Sequence, residues 1–527
     1  MASHEVLAQG RPLRTPLRSH IPASLLRWEW RSILAFSLPM LLYLVTMAPT
    51  IYNLDSAELT TAAATGGIVR ATGYPLYLIL GRVWSELPVG DVGYRMNLLS
   101  AVSGALTVLL TERLLRRLRV GPWATFGALG LLTVSTFFWA LSLIAEVYTP
   151  HTVLMATLIL LVLRWSNSPT PARLAQVMLI FGLSLGHHAA TILLAPGFAW
   201  YMLTTAPRRV LAPRALLMGG IALLLGLSVY LYLPYQFSTQ PAFNYAGTFG
   251  PAGEFRPIDL QSPDGLWWLV TGRAFSSQMM GYTPAELRGE AVNFVFHLWR
   301  AFFAVGIGPG LLGMVLLLRR NWRLGGMFAL LFAVNAAFYI DYRVIDKETM
   351  FLPTYVIWAV WLGVGLQWLL DWIQSGMEGN EQRWTLFSLR WGIVALVLLA
   401  TLARWSLVNL SRDFSTRERG EEILQEVERD ALVFGWWETV PVVQYLQQVE
   451  GQRPDVTAIN RFLIAPHDME QMIRNNIHER PVYIDGPPQH YLSTWYAYKE
   501  GVLYRLEPSS QSSGSKGSDS NRQQKRR

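Results

Sequence analysis

Residues 48–84, APTIYNLDSAELTTAAATGGIVRATGYPLYLILGRVW, decide how this chain is read. They follow directly on an apolar run of membrane length at 33–50, and they set two carboxylates, Asp55 and Glu58, at its mouth. Ionisable groups placed at membrane depth are expensive, and where they occur they mark a substrate or ion path. Within the stretch, AELTTAAATG reads as a short helix starting at Asp55-Ser56. LYLILGRVWSEL reads as an amphipathic helix lying along the membrane surface. Gly73-Tyr74-Pro75 turns the chain between them, because the residue before proline avoids helix. Two readings of the carboxylates stay open: a helix cap, with Glu58 completing a capping box, or a functional pair.

Working outward, the whole chain has the texture of a polytopic membrane protein. Of 527 residues 52% are hydrophobic and only 15% charged, against about a quarter charged in soluble chains. The 21 tryptophans and 21 tyrosines suit many membrane–water interfaces. Cysteine is absent, which excludes disulfides, thiol catalysis and cysteine-ligated zinc or iron–sulfur sites. The net charge of +8 resembles a nucleic-acid signal. Many basic residues fall in loops between apolar runs, however, where they orient the chain, so no nucleic-acid partner is expected. The N-terminus shows no cleavable signal pattern.

Runs of roughly 17–25 apolar residues predict about eleven spanning helices. They lie near 33–50, 97–115, 123–144, 148–165, 172–187, 188–206, 212–233, 296–318, 324–340, 352–373 and 389–410. On one side of this scheme the segments carry nineteen arginines, from Arg11 to Arg390. The opposite segments, 49–96, 145–147, 234–295 and 341–351, carry eight basic residues. The positive-inside rule then puts the N-terminal segment 1–32 in the cytoplasm. The first loop (49–96), the long loop after span seven and the region after 410 face the extracytoplasmic side, with the plasma membrane of a prokaryote as the expected location.

From 411 the texture changes. ALVFG (431–435), DVTAIN (455–460) and PVYID (481–485) are strand-like, and helical stretches lie between them. Such alternation predicts a small extracytoplasmic α/β domain over 411–508 with a parallel sheet. It has no G-x-G-x-x-G turn, which argues against a nucleotide site. Residues 509–527 are Ser/Gly/Lys/Arg-rich and are expected to be a disordered tail. The chain shows no internal repeat, which weakens inverted-repeat transporter readings.

The other outward-facing segments add Glu146 and Tyr148 after span three, His187 and His188 between spans five and six, and Arg343 and Lys347 within FYIDYRVIDKETMFLPTY. Carboxylates for an acceptor and basic groups for a phosphate suit a reaction on a lipid phosphate. Two adjacent histidines do not make a zinc site, since neighbours on a helix point about 100° apart. Asp55 and Glu58 offer oxygen ligands that favour magnesium or manganese.

The run DSAELTTAAATGGIVRATGYPLYLILGRVWSELPVGDVGYRMNLLSA resembles the N-terminal signature of the membrane family catalogued as DUF2723, which includes the transmembrane O-mannosyltransferases of animals. That family sits among the GT-C multi-span glycosyltransferases, which use lipid-phosphate sugars. FFWALSLIAEVYTPHTVLMA, GLSLGHHAATILLAPG, YLPYQFSTQPAFNY with LWWLVTGRAF, and DYRVIDKETMFLPTY extend the likeness over most of 40–360. The resemblance implies a GT-C-like fold and a hexosyltransferase, mannosyl among its options, that takes a polyprenyl-phosphate donor. It implies that Asp55 is the first-loop catalytic carboxylate with Glu58 its partner. Glu146, Tyr148 and His188 then lie around the same cavity. Where relatives read His-Pro-Pro-Gly-Tyr-Pro, this chain has Arg70-Ala71-Thr72-Gly73-Tyr74-Pro75, so the histidine's place is held by Arg70, next to Tyr74. Arg70 is thereby a candidate contact for the donor phosphate, with Arg343 and Lys347 as others. The acceptor is a protein, lipid or glycan hydroxyl. The rival readings are a transporter or flippase of lipid-linked glycans and a non-catalytic scaffold.

Overall fold

The structure is a computed structural model and describes residues 29–508. The expected tail and most of the N-terminal segment lie outside the described residues. The chain opens with α1 (Trp30–Thr46), then crosses the first loop through α2 (Ser56–Thr65) and α3 (Pro75–Ser85). There follow α4 (Val92–Arg117), α5 (Pro122–Thr133), a short α6 (Thr136–Ala140), α7 (Tyr148–Asn167), α8 (Pro171–His187) and α9 (Ala195–Thr205). Next come α10 (Pro207–Val210), α11 (Pro213–Leu227) and α12 (Tyr232–Ser238). The long loop carries the hairpin strands β1 (Gly247–Phe249) and β2 (Phe255–Pro257) with α13 (Pro263–Val270). The helical part closes with α14 (Pro284–Ala301), α15 (Ile307–Arg320), α16 (Trp322–Ile340), α17 (Leu352–Gly376) and α18 (Gly379–Val408).

Among the described residues six helical segments are long and apolar enough to cross a membrane: Val92–Arg117, Tyr148–Asn167, Pro213–Ser238, Trp322–Ile340, Lys347–Gly376 and Gly379–Val408. Trp30–Thr46 and Ala189–Thr205 are shorter apolar helices. Leu217 and Leu224 on α11, and Leu399 and Leu402 on α18, stand exposed, an apolar exterior suited to lipid. Inside, helices approach closely where side chains vanish. A Cβ on Gly313 of α15 would lie 1.8 Å from the Trp361 carbonyl oxygen, and one on Gly365 of α17 would lie 1.9 Å from that of Pro309. Small residues at such a seam let two backbones pack directly.

Two expected spans come out differently. The helix expected over 123–144 stops at Thr133, and residues 141–147 run irregularly, wholly buried. The Val134 carbonyl, freed by that break, accepts from Arg404 Nη1 of α18 at 3.3 Å. The Leu143 carbonyl accepts from the Ala48 amide at 3.2 Å. Irregular backbone survives at membrane depth only where protein satisfies it. The span expected over 296–318 is likewise divided, with Phe303 and Ala304 at positive φ between α14 and α15. The Arg300 carbonyl before that turn also accepts from Arg404. One buried arginine thus holds both breaks.

Beyond α18 lie α19 (Ser415–Glu426), β3 (Leu432–Gly435), α20 (Val440–Gln448), β4 (Thr457–Asn460), α21 (Pro466–Asn476), β5 (Val482–Ile484), β6 (Trp495–Glu500) and β7 (Leu503–Pro508). The sheet order is β4-β3-β5-β7-β6. β3 pairs in parallel with both β4 and β5, and the β6–β7 hairpin adds antiparallel strands. Strand alternation sends Leu432 and Phe434 to one face with Met472 and Ile473 of α21. Val433 goes to the other face, with Val442 and Leu446 of α20. That second core also takes in Ile51 and Ala57, so the sheet domain is docked on the first loop.

Candidate active site

Asp55 occupies the residue before α2, yet its side chain makes no capping bond. Its carboxylate pairs with the Arg70 guanidinium instead. One turn on, Glu58 does not reach back to the Asp55 amide as a capping box requires. That amide donates to Glu146 Oε1 at 3.3 Å. Glu58 Oε1 accepts the Arg70 backbone N–H at 3.2 Å, and Oε2 pairs with Arg70 Nη1. The helix-cap reading therefore does not account for either carboxylate.

The chain reversal after α2 brings Arg70 back. Gly66 ends the helix at φ 72°, where a Cβ would be strained. The Ile68 amide then donates to Phe243 O at 2.9 Å, and the Tyr245 amide to Ile68 O at 2.8 Å. This short parallel pairing with the long loop returns the chain to the level of Glu58. The two carboxylates differ in access. The Asp55 side chain keeps 13% of its surface open and that of Arg70 14%, while Glu58 has none. Burial pushes the Glu58 carboxyl above its ordinary range, with Arg70 pulling it down and Asp55 adding to the rise. Glu146, also buried, is held well above that range by burial and by the neighbouring Asp55 and Asp346 carboxylates. Asp346 is raised by burial and by Asp55.

Beside the carboxylates stands a group of rings. Tyr74, turned by φ 42° at the start of α3, lies 5.7 Å from His188, and Tyr148 lies 6.0 Å from it. Tyr77 packs 5.9 Å from His187, whose Nε2 meets the Val147 carbonyl at 2.9 Å. His151 lies 5.2 Å from His188 and 6.5 Å from His187. Sequence reasoning missed Tyr77 and His151. Each stands three residues after a candidate, Tyr74 and Tyr148, on the same helical face, and that spacing could have found them. Both His151 nitrogens, His187 Nδ1, the Tyr77 hydroxyl and Glu146 Oε2 are buried with no hydrogen-bond partner among the described residues. Such atoms call for water or ligand polar groups.

Arg343 and Lys347 are placed elsewhere. Arg343 bonds Glu286 Oε1 at 3.1 Å and Gly281 O at 3.3 Å and lies 5.2 Å over the Tyr282 ring. Lys347 pairs with Glu290, donates to the Tyr282 hydroxyl at 3.2 Å and sits 4.3 Å over the same ring. The two cations clasp Tyr282 and tie their loop to α14. From that loop it is Asp346 that bears on Asp55 and Glu146.

The far wall comes from the C-terminal sheet. Trp437, just past β3, donates its indole N–H to Glu58 Oε2 at 3.1 Å, and its ring lies 5.0 Å from the Arg70 guanidinium. Tyr245 of the long loop stands 6.4 Å from Trp437, and its hydroxyl meets Gln444 Oε1 at 2.7 Å. Among the described residues no group of three or more His, Asp or Glu side chains is arranged to hold a metal ion.

Fold and site together define an integral membrane protein, helical and multi-span, whose acidic–basic centre lies where the first loop, the long loop and the C-terminal sheet meet. Residues 55–211 match the family model described as the N-terminal domain of the protein O-mannosyl-transferase TMEM260. The mouse protein named Protein O-mannosyl-transferase TMEM260 is 28% identical over 156 residues, covering 29% of this chain and 22% of the mouse protein. The chain thus matches about a fifth of that relative's length. The solved structure of ArnT from Cupriavidus metallidurans bound to undecaprenyl phosphate matches with a TM-score of 0.54 at 14% identity, over 90% of this chain and 97% of ArnT. ArnT in the apo state gives 0.50 over the same shares. The likeness to O-mannosyltransferases and the multi-span helical fold expected from the sequence are borne out, and Asp55 opens the matched segment.

Proposed function

We propose that this chain is a membrane glycosyltransferase that moves a sugar from a polyprenyl-phosphate carrier to a hydroxyl on the extracytoplasmic side, with inversion at the anomeric carbon. The observation that carries the reading is the uncapped, partly open Asp55 carboxylate, held by a single arginine that a buried Glu58 anchors from behind. Asp55 acts as general base, taking the acceptor hydroxyl's proton as that oxygen bonds to the anomeric carbon. The bond from that carbon to the phosphate oxygen breaks, and the lipid phosphate leaves as an anion that needs charge stabilisation rather than a proton. Arg70 supplies it. A donor phosphate that draws the guanidinium toward itself loosens its hold on Asp55 and frees the base, so donor binding arms the centre. The sugar lies against Tyr74, Tyr148 and His188, where the unpartnered polar atoms behind them suit hydroxyl groups or water. Attack opposite the leaving phosphate inverts the centre, by the geometry of inverting glycosidases.

The carrier is favoured by the undecaprenyl phosphate of ArnT, and a protein hydroxyl and a mannosyl group by the name of the mouse relative. A magnesium or manganese ion at Asp55 and Glu58 would have to displace Arg70, which transfer measured with and without chelator tests. The deciding experiment gives purified protein a radiolabelled polyprenyl-phosphate sugar and a hydroxyl acceptor. The wild-type chain releases and transfers label and Asp55→Asn does not, though it remains folded. Full activity in Asp55→Asn removes the assignment.

A further inference from the structure

The C-terminal sheet meets the centre at a particular place. The chain runs from β3 through α20 to β4 on one side, then through α21 to β5 on the other side of β3. The carboxyl ends of β3 and β5 therefore flank a topological switch point, where open α/β sheets present functional groups. The turn there is pinned, because the Trp436 amide donates to Asp485 Oδ2 at 2.7 Å and Arg461 Nη1 to the Asp485 carbonyl at 2.7 Å. Trp437 projects from this turn onto Glu58 and Arg70. Phe462, past β4, packs edge-on 5.0 Å from its ring.

We propose that Trp437 is a positioning residue of the transferase centre, so that the C-terminal sheet forms part of the active site. This rests on the functional reading above. Docking alone does not need Trp437, since Ile51 and Ala57 already share a buried apolar core with α20. What Trp437 adds is polar. Among the described residues its N–H is one of three donors to the buried Glu58 carboxylate, and its π-face covers the guanidinium that Glu58 shares with Asp55. Edge and face together fix the guanidinium plane, and through it the orientation of Asp55. Trp437 touches no reacting atom and acts through Arg70.

The test uses the full-length chain. Trp437→Phe keeps the ring face and loses the N–H; it lowers kcat about tenfold, the scale of a lost hydrogen bond to a charged group, while donor KM stays within about twofold. Ile51→Val trims the docking core, and lowers Tm without lowering kcat. Wild-type kcat in Trp437→Phe, or equal kcat losses in both variants, overturns the proposal. A Tm cycle of Trp437→Phe with Glu58→Ala reads the contact without any activity, and its losses fall short of additive. Fully additive losses also overturn the proposal. A wild-type chain that transfers no sugar, with the cycle still non-additive, overturns the functional reading instead.

Discussion

Two ion-pair centres in this molecule are built from the same parts and end in opposite states. In each, two carboxylates stand about a helical turn apart and meet cations: Asp55 and Glu58 by Arg70, Glu286 and Glu290 by Arg343 and Lys347. At α14 each carboxylate has its own cation, and the Arg343 and Glu286 side chains stand 55% and 41% exposed. Charge is balanced there, and water screens the Arg343–Glu286 pair while Lys347 and Glu290 lie deeper, 8% and 21% exposed, so the pairs fasten a loop. At α2 two carboxylates share one arginine, and a third, Glu146, accepts the Asp55 backbone N–H beside them. That arrangement is short of positive charge in a water-poor place. A centre left with spare carboxylate has a proton acceptor to offer, whereas a balanced one has none.

Breaking the comparison where it is sharpest gives the largest effect. Asp55→Asn lowers transfer by roughly 10²–10⁴-fold, the usual worth of a general base, measured as label moved by purified protein. Arg70→Ala leaves Glu58 buried without its cation. It destabilises the fold by about 3–5 kcal/mol, the scale of breaking a buried pair from one side, seen as a lower Tm in detergent along with lost transfer. Glu146→Gln sharpens the contrast through pH. A carboxyl whose folded-state pKa is raised keeps its proton to higher pH folded than unfolded. Its contribution to stability is complete below its ordinary value of 4.5 and is lost as pH rises through the raised one. The Tm of Glu146→Gln relative to wild type therefore climbs between acid and neutral pH. Arg343→Ala is the smallest. Removing an exposed pair shifts stability by about 0–1 kcal/mol and leaves transfer within a few fold, read in the same assay. A loss there as deep as that of Asp55→Asn would erase the distinction between the two centres.

Much of this was legible along the chain. Apolar runs located α4, α7, α11, α16, α17 and α18, because a spanning helix must satisfy its backbone internally and so leaves a contiguous signal. The breaks at Val134 and Phe303 left no such signal, since they depend on Arg404, far away in sequence. Asp55, Glu58 and Arg70 lie within sixteen residues of one another, and their meeting could be anticipated. Asp346 and Lys347 are neighbours in one charged loop, and composition alone did not show that Lys347 pairs with Glu290.

The sequence by itself determined the membrane class and the carboxylates that follow the first apolar run, because apolar length and turn chemistry are local properties. Only the tertiary structure decided that Asp55 caps nothing, that Arg70 is shared, that Arg343 is occupied elsewhere and that Trp437 closes the centre. Glu58 and Trp437 are 379 positions apart. Their contact follows from how a sheet's carboxyl edge lands on the first loop, a matter of packed surfaces that no local pattern encodes.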